Sequence, residues 1–95
     1  MRFIMVVSLS TEVGNQLMKD PSGVKTLEEY LNKIKPEAAY FSELYGERTF
    51  FIVLDLPTPD AIPVVAEPMF KLGARVGFHV AMNLEDLKKA FQKIS

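Results

Sequence analysis

Two uninterrupted apolar runs constrain the fold of this chain more than any other feature of its sequence. Residues 3–7 and residues 50–54 are rich in β-branched and aromatic side chains. Runs of this length are typical of strands, and successive side chains of a strand point to opposite faces of its sheet. Both faces of these two strands are therefore apolar, and both need cover.

Two further strand-like segments and several helical stripes surround these runs. We predict four strands, over residues 2–9, 38–45, 48–56 and 75–82. The second and third are joined as a hairpin through Gly46, and Ser10 begins a short helical segment that is interrupted at Pro21. Apolar residues then recur at helical spacing in three stretches, residues 24–34, 62–72 and 84–94. The apolar stripe of the last stretch predicts a helix that packs on another surface, through Leu84, Leu87, Phe91 and Ile94.

The order of these elements predicts the fold class. It reads β, α, β, β, α, β, with a closing helix, which is the split βαβ order of ferredoxin-like folds. We therefore expect a single α+β domain over residues 1–95, with a four-stranded antiparallel sheet and both main helices on one face. The other face would present an apolar patch to water, which monomers rarely do. A homodimer that pairs two such sheet faces would cover the patch.

Composition excludes several classes of function. The formal net charge is −1 without a block of like charges, so no basic stripe for nucleic acid is present. The absence of cysteine excludes disulfides, a thiolate nucleophile and a cysteine-based zinc site. The N-terminal apolar stretch is too short for a signal peptide, and no segment approaches a membrane span. We expect a cytoplasmic protein without bound metal or cofactor and without membrane contact.

Four segments carry a resemblance to a known family. Residues 35–41, 46–49, 62–70 and 82–89 resemble a small bacterial family called domain of unknown function 3303. The resemblance covers about two-thirds of the chain, from Lys35 to the end. That family is similar to the dimeric α/β-barrel superfamily, which implies ferredoxin-like subunits paired sheet to sheet around an enclosed cleft. The family has no assigned activity. The superfamily includes cofactor-free monooxygenases, haem-degrading enzymes, lactone isomerases and small ligand-binding domains, and fold analogy does not choose among them.

Candidate site residues lie on the predicted second, third and fourth strands. His79, the one histidine, is either a general acid/base or axial haem ligand in the cleft, or a strand histidine with ordinary hydrogen bonds. Tyr40 and Ser42 share one face of the second strand, and with His79 around an apolar chamber they would orient a phenolic or quinone-like ligand. Alternatively, Tyr40 packs as a core aromatic. The ligand-binding candidates are Tyr40, Ser42, Phe51 and His79, and the catalytic candidates are His79 and Tyr40.

The sequence also gives expectations for three arginines and four methionines. Arg48 in the hairpin link either binds an anionic ligand or stays solvated. Arg2 and Arg75 are expected to pair with Asp55 or Glu43. The methionines at apolar positions are expected in the core, namely Met5, Met18, Met69 and Met82.

Three functions remain open from the sequence. The first is binding of a small, largely apolar molecule in the cleft between sheet and helices. The second is a cofactor-independent monooxygenase or isomerase acting on an aromatic substrate, with His79 and Tyr40 transferring protons. The third is a subunit that serves assembly alone.

Overall fold

A computed structural model describes residues 1–95, which form four strands and four helices. In chain order the elements are β1 (Arg2–Leu9), α1 (Thr11–Lys19), α2 (Gly23–Ile34), β2 (Ala38–Leu44), β3 (Glu47–Asp55), α3 (Ala61–Lys71), β4 (Arg75–Val80) and α4 (Leu84–Ile94). None of the four helices combines the length and apolarity that crossing a bilayer requires.

The strands form one antiparallel sheet in the order β2-β3-β1-β4. Strand β1 pairs with β3, placing Met5 opposite Ile52, and with β4, placing Met5 opposite Phe78. Strand β2 pairs with β3 through a hairpin whose turn residues, Tyr45 and Gly46, both have positive φ. This arrangement confirms the expected α+β class with a four-stranded antiparallel sheet, compatible with a ferredoxin-like fold.

Local chemistry explains where the first two helices begin and end. The Ser10 hydroxyl accepts a hydrogen bond from the Val13 amide at 3.2 Å and caps α1. Between α1 and α2, the Asp20 carboxylate accepts from the amide of Ser22 at 2.9 Å and from its hydroxyl at 2.8 Å. Helix α2 ends at Ile34 because Lys35 takes a left-handed conformation just before Pro36.

The core lies between the first three helices and one face of the sheet. Its least exposed side chains come from the odd positions of β1 and the even positions of β3, joined by residues of α1, α2 and α3 such as Leu17, Tyr30 and Met69. The sheet members are Met5, Val7, Leu9, Phe50, Ile52 and Leu54. The side chains of opposite parity therefore form the second face, which no helix of this core covers.

The structure corrects three expectations at the end of the chain and in α1. Strand β4 ends at Val80 rather than at residue 82, because β1 begins at Arg2 and leaves Met82 without a strand partner. The side chains of Met18 and Met82 are 56% and 63% exposed, so only Met5 and Met69 are core methionines. Helix α4 buries none of its residues within the chain, although its apolar stripe predicted packing.

Candidate functional site

An apolar groove runs between the first two helices and the β2–β3 edge of the sheet. Its volume is about 510 Å³, which is within the range of small-molecule sites. We call this surface the apolar groove; its walls are Met18 of α1, Val24, Leu27, Glu28 and Leu31 of α2, Phe41 and Ser42 of β2, and Arg48 and Phe50 of β3.

The groove exists because the helices do not extend over strand β2. Phe41 lies directly opposite Phe50, and the two rings pack edge to face with centroids 5.1 Å apart. Phe50 is buried, whereas Phe41 and Met18 are each 56% exposed and Val24 is 71% exposed. An edge strand with an aromatic side chain on its helix face thus forms the floor of an uncovered apolar surface.

Two charged side chains lie on the walls of the apolar groove. Glu28 belongs to the α2 wall and Arg48 belongs to the strand wall. The Arg48 guanidinium donates to the Asn15 side-chain oxygen at 3.2 Å. It lies so close to α1 that a Cβ on Gly14 would be 2.5 Å from its Nη1. Gly14 therefore leaves the space in which Arg48 is held beside the groove, where its charge favours an anionic or strongly accepting group.

The sheet face opposite the helices has a second apolar surface. At its centre Ile4, Val6, Phe51 and Val53 are half-buried, and the register places Ile4 opposite Val53 and Val6 opposite Phe51. We call this surface the open face. No helix of the core covers it, so these side chains lose only part of their contact with water.

Ion pairs border the open face at both ends of the sheet. At one end Arg2 pairs with Glu37 at 3.0 Å, and at the other Arg75 reaches across to Glu47. The expected partners, Asp55 and Glu43, are engaged elsewhere. Asp55 binds the N-terminal ammonium group at 2.7 Å, and the Glu43 carboxylate accepts from the Gly46 amide at 3.1 Å. The parity of β2 explains the second difference, because Glu43 faces away from Arg75 whereas Glu47 lies on its side of the sheet.

The Arg2 end of the sheet also carries a cavity of about 580 Å³. Its charged lining includes Arg2, Glu37 and Asp55, each of which already has an opposite charge beside it. Because these charges line the cavity and are already paired, this cavity is a poorer site for an apolar ligand than the apolar groove is.

The four predicted ligand residues do not converge on one cavity. Tyr40, Ser42, Phe51 and His79 all have the parity of the open face, with Tyr40 opposite Phe51, Ser42 opposite Thr49 and His79 opposite Ile4, and of the four only Ser42 borders the apolar groove. The two catalytic candidates occupy the opposite edge strands β2 and β4, which three strand spacings separate by about 14 Å. Within one chain, His79 and Tyr40 are therefore too far apart to act on the same atom.

Three side chains have shifted pKa values, and none of them lines the apolar groove. Burial raises the pKa of Tyr30 to about 12, and its hydroxyl donates to the Val65 carbonyl oxygen at 2.6 Å. Hydrogen bonds from Ser22 lower the pKa of Asp20, and the hydrogen bond and charge of the N-terminal ammonium group lower that of Asp55. These causes are structural. In addition, no three His, Asp or Glu side chains are grouped so as to hold a metal ion.

Sequence reasoning missed three residues of the apolar groove, Met18, Val24 and Phe41. The apolar spacing predicts that Met18 and Val24 are buried, and nothing in the spacing singles out Phe41. A usable signal was present, because Phe41 lies on the helix face of a strand that two helices over the central strands cannot fully cover. To interpret this signal one also needs the strand order, which places β2 at the edge of the sheet.

Comparisons with known proteins identify no relative of this chain. No family model, no curated protein and no solved structure matches the chain. The resemblance to the domain of unknown function 3303 family therefore stays a prediction, and the α+β fold is assigned from the chain's own strands and helices.

Proposed function

We propose that this chain binds a small, largely apolar molecule in the apolar groove. The observation that carries the proposal is the uncovered apolar lining, in which Met18, Val24 and Phe41 are each more than half exposed around a volume of about 510 Å³. Transfer of such surface from water to a ligand is favourable by roughly 25 cal/mol per Å². The Arg48 guanidinium beside the groove favours a ligand that carries one anionic or hydrogen-bond-accepting group next to an apolar body.

The test is a fluorescence titration with 8-anilinonaphthalene-1-sulfonate, an aromatic probe that carries one sulfonate. We expect saturable binding that Val24→Lys weakens at least about tenfold, because a charge would enter the apolar wall. Val64→Lys is the matched control, since Val64 is 65% exposed on α3 and lies outside the groove. Equal weakening by both substitutions, or no saturable binding, would overturn the proposal.

We also propose that two copies of the chain pair through their open faces. The open face has an apolar centre between charged ends, which is the arrangement of interfaces with a dry core and a polar rim. A second copy would cover Ile4, Val6, Phe51 and Val53 simultaneously on both chains, as a twofold interface does. The same pairing would also serve the third function left open by the sequence, that of a subunit for assembly alone.

Light scattering at micromolar concentration tests the pairing. We expect a dimer, and we expect Val6→Lys to give a monomer because Val6 lies at the centre of the open face. Val64→Lys should leave the dimer intact. A monomeric parent protein contradicts the pairing, and so does a Val6→Lys variant that remains dimeric.

The monooxygenase or isomerase alternative finds less support than ligand binding. It depends on proton transfer by His79 and Tyr40, and these side chains lie on opposite edges of one sheet, outside the apolar groove. We therefore assign the groove to binding.

A further inference from the structure

Helix α4 has an apolar stripe that is largely uncovered in its own chain. Leu84, Phe91 and Ile94 are 64%, 60% and 79% exposed, and none of the 11 residues of α4 is buried. Each of the other three helices buries at least two residues. A helix this short gains most of its stability in water from packing its apolar side against another surface. The stripe therefore needs a partner.

The apolar groove has the size and shape to accept such a helix. Its α2 wall runs from Val24 to Leu31, a rise of about 10 Å, and the stripe of α4 from Leu84 to Ile94 rises about 15 Å. A ligand in the groove also needs cover, because ligand sites normally bury most of the ligand surface and this groove is open to water. An apolar helix laid along the groove would supply that cover.

The helix that covers the groove cannot easily come from the same chain. Helix α4 follows β4, whereas the groove borders β2 at the opposite edge of the sheet. Only Ala81, Met82 and Asn83 join β4 to α4, and three extended residues span about 10 Å. The two edge strands are about 14 Å apart. A second copy has no such restriction.

We propose that α4 of a second copy closes the apolar groove, so that two chains together complete the binding site. The inference rests on the ligand site proposed above and names the partner that encloses it. In a twofold dimer the α4 helix of each chain would pack along the groove of the other chain, so that both apolar stripes and both grooves are covered. The groove lies on the helix side of the sheet, so this contact adds to the pairing of the open faces within the same twofold dimer, and loss of that pairing in Val6→Lys should release α4 as well.

Charges on the two surfaces are complementary. The groove carries Glu28 on its helix wall and Arg48 on its strand wall. Helical periodicity places Lys88 on one side of the α4 stripe and Asp86 toward the other. Only one direction of α4 along the groove brings Lys88 to Glu28 and Asp86 to Arg48, so the charges select the direction of docking.

The absence of cysteine allows a direct test by engineered disulfides. We would mix a Val24→Cys chain with a Phe91→Cys chain under mild oxidation and identify the mixed disulfide by its mass. Val24→Cys mixed with Lys89→Cys is the matched control, because Lys89 lies on the side of α4 opposite the stripe. We expect at least about tenfold more mixed disulfide from the Phe91 pair. Equal yields from the two pairs would overturn the proposal.

A second measurement separates this inference from the proposed ligand site. Phe91→Ala should weaken 8-anilinonaphthalene-1-sulfonate binding about tenfold, the loss expected when an aromatic wall is removed, while Lys89→Ala should not. If the probe binds the groove and Phe91→Ala leaves its affinity unchanged, the proposed function stands and closure by α4 is overturned. A specific Phe91 disulfide without probe binding supports the α4 contact and overturns the ligand site.

A membrane is the other candidate occupant of the stripe. If the Phe91 pair gives no specific disulfide and the chain binds vesicles of phosphatidylcholine and phosphatidylglycerol through α4, the stripe belongs to a lipid surface and the proposal is overturned. Phe91→Ala would then abolish vesicle binding.

Discussion

Tyr30 is the one ionisable side chain that the fold buries, and it joins three elements. Its hydroxyl donates to the Val65 carbonyl oxygen of α3 at 2.6 Å and lies 3.7 Å from the Met5 sulfur of β1. Burial opposes formation of the phenolate and raises the pKa to about 12. The residue thus contributes to stability as a neutral donor.

This pKa predicts how stability changes in alkali. The unfolded chain releases the Tyr30 proton near pH 10, whereas the folded chain keeps it to about pH 12. The contribution is therefore complete below about pH 10 and is lost as the pH rises toward about 12. Tyr30→Phe should remove this part of the decline and cost about 1 kcal/mol at neutral pH, through the lost hydrogen bond.

Urea denaturation at neutral and alkaline pH measures both effects. Tyr45 is 95% exposed in the hairpin turn, so Tyr45→Phe is the control that should follow the parent protein. If Tyr30→Phe loses stability in alkali as steeply as the parent, the assignment to Tyr30 is wrong.

At the scale of the elements, a single chain buries the two faces of its sheet to different extents. Ile52 is 1% exposed on the face under the helices, whereas Ile4 is half-buried on the open face. The register separates them by one position, since Met5 lies opposite Ile52 and Ile4 lies opposite Val53. Parity on the strand decides which isoleucine the helices cover.

The same substitution on the two faces should therefore have unequal effects. We expect Ile52→Ala to lower the free energy of unfolding by about 2–5 kcal/mol, the cost of a large-to-small change in a packed core. Ile4→Ala should cost about half as much or less in dilute protein, because its side chain is already partly hydrated. Chemical denaturation well below the dimerisation range measures both, and equal costs would show that the open face is covered within one chain.

The sequence predicted the strands, but it did not predict which of their faces the helices cover. The apolar runs correctly placed β1 and β3 in the sheet, but both faces of these strands are apolar, so the runs did not show which face lies under the helices. The helical spacing of apolar residues predicted that Met18 lies in the core and that α4 packs on another surface, and neither prediction holds within one chain. A stripe shows which side of an element is apolar, but whether another element lies against that side depends on the widths and order of the parts.

For the whole molecule, elongation is the notable property. The radius of gyration is 15.3 Å, compared with about 12 Å for a compact domain of this length, and the longest dimension is 53 Å. A helix whose residues are all unburied and a sheet with one open face both leave apolar surface in water. Both features are what an isolated half of a two-chain core would show.

A two-chain core predicts that thermal stability depends on protein concentration. Dissociation accompanies unfolding, so dilution should favour the unfolded chains by mass action. We expect the Tm to rise by roughly 3–6 °C for each tenfold increase in concentration. Differential scanning calorimetry over a wide concentration range measures this, and Val6→Lys should abolish the dependence. A constant Tm for the parent protein would mean that a single chain carries all of its own stability.

The sequence by itself determined the elements and their order, because turns, caps and side-chain alternation are local properties of the chain. It also indicated a sheet with two apolar faces. Only the tertiary structure decided that β2 is an edge strand beside an uncovered groove, that His79 and Tyr40 lie on opposite edges, and that α4 has no cover in its own chain. These outcomes depend on which surfaces meet across the sheet, and no local pattern encodes the distance between elements that are far apart in sequence.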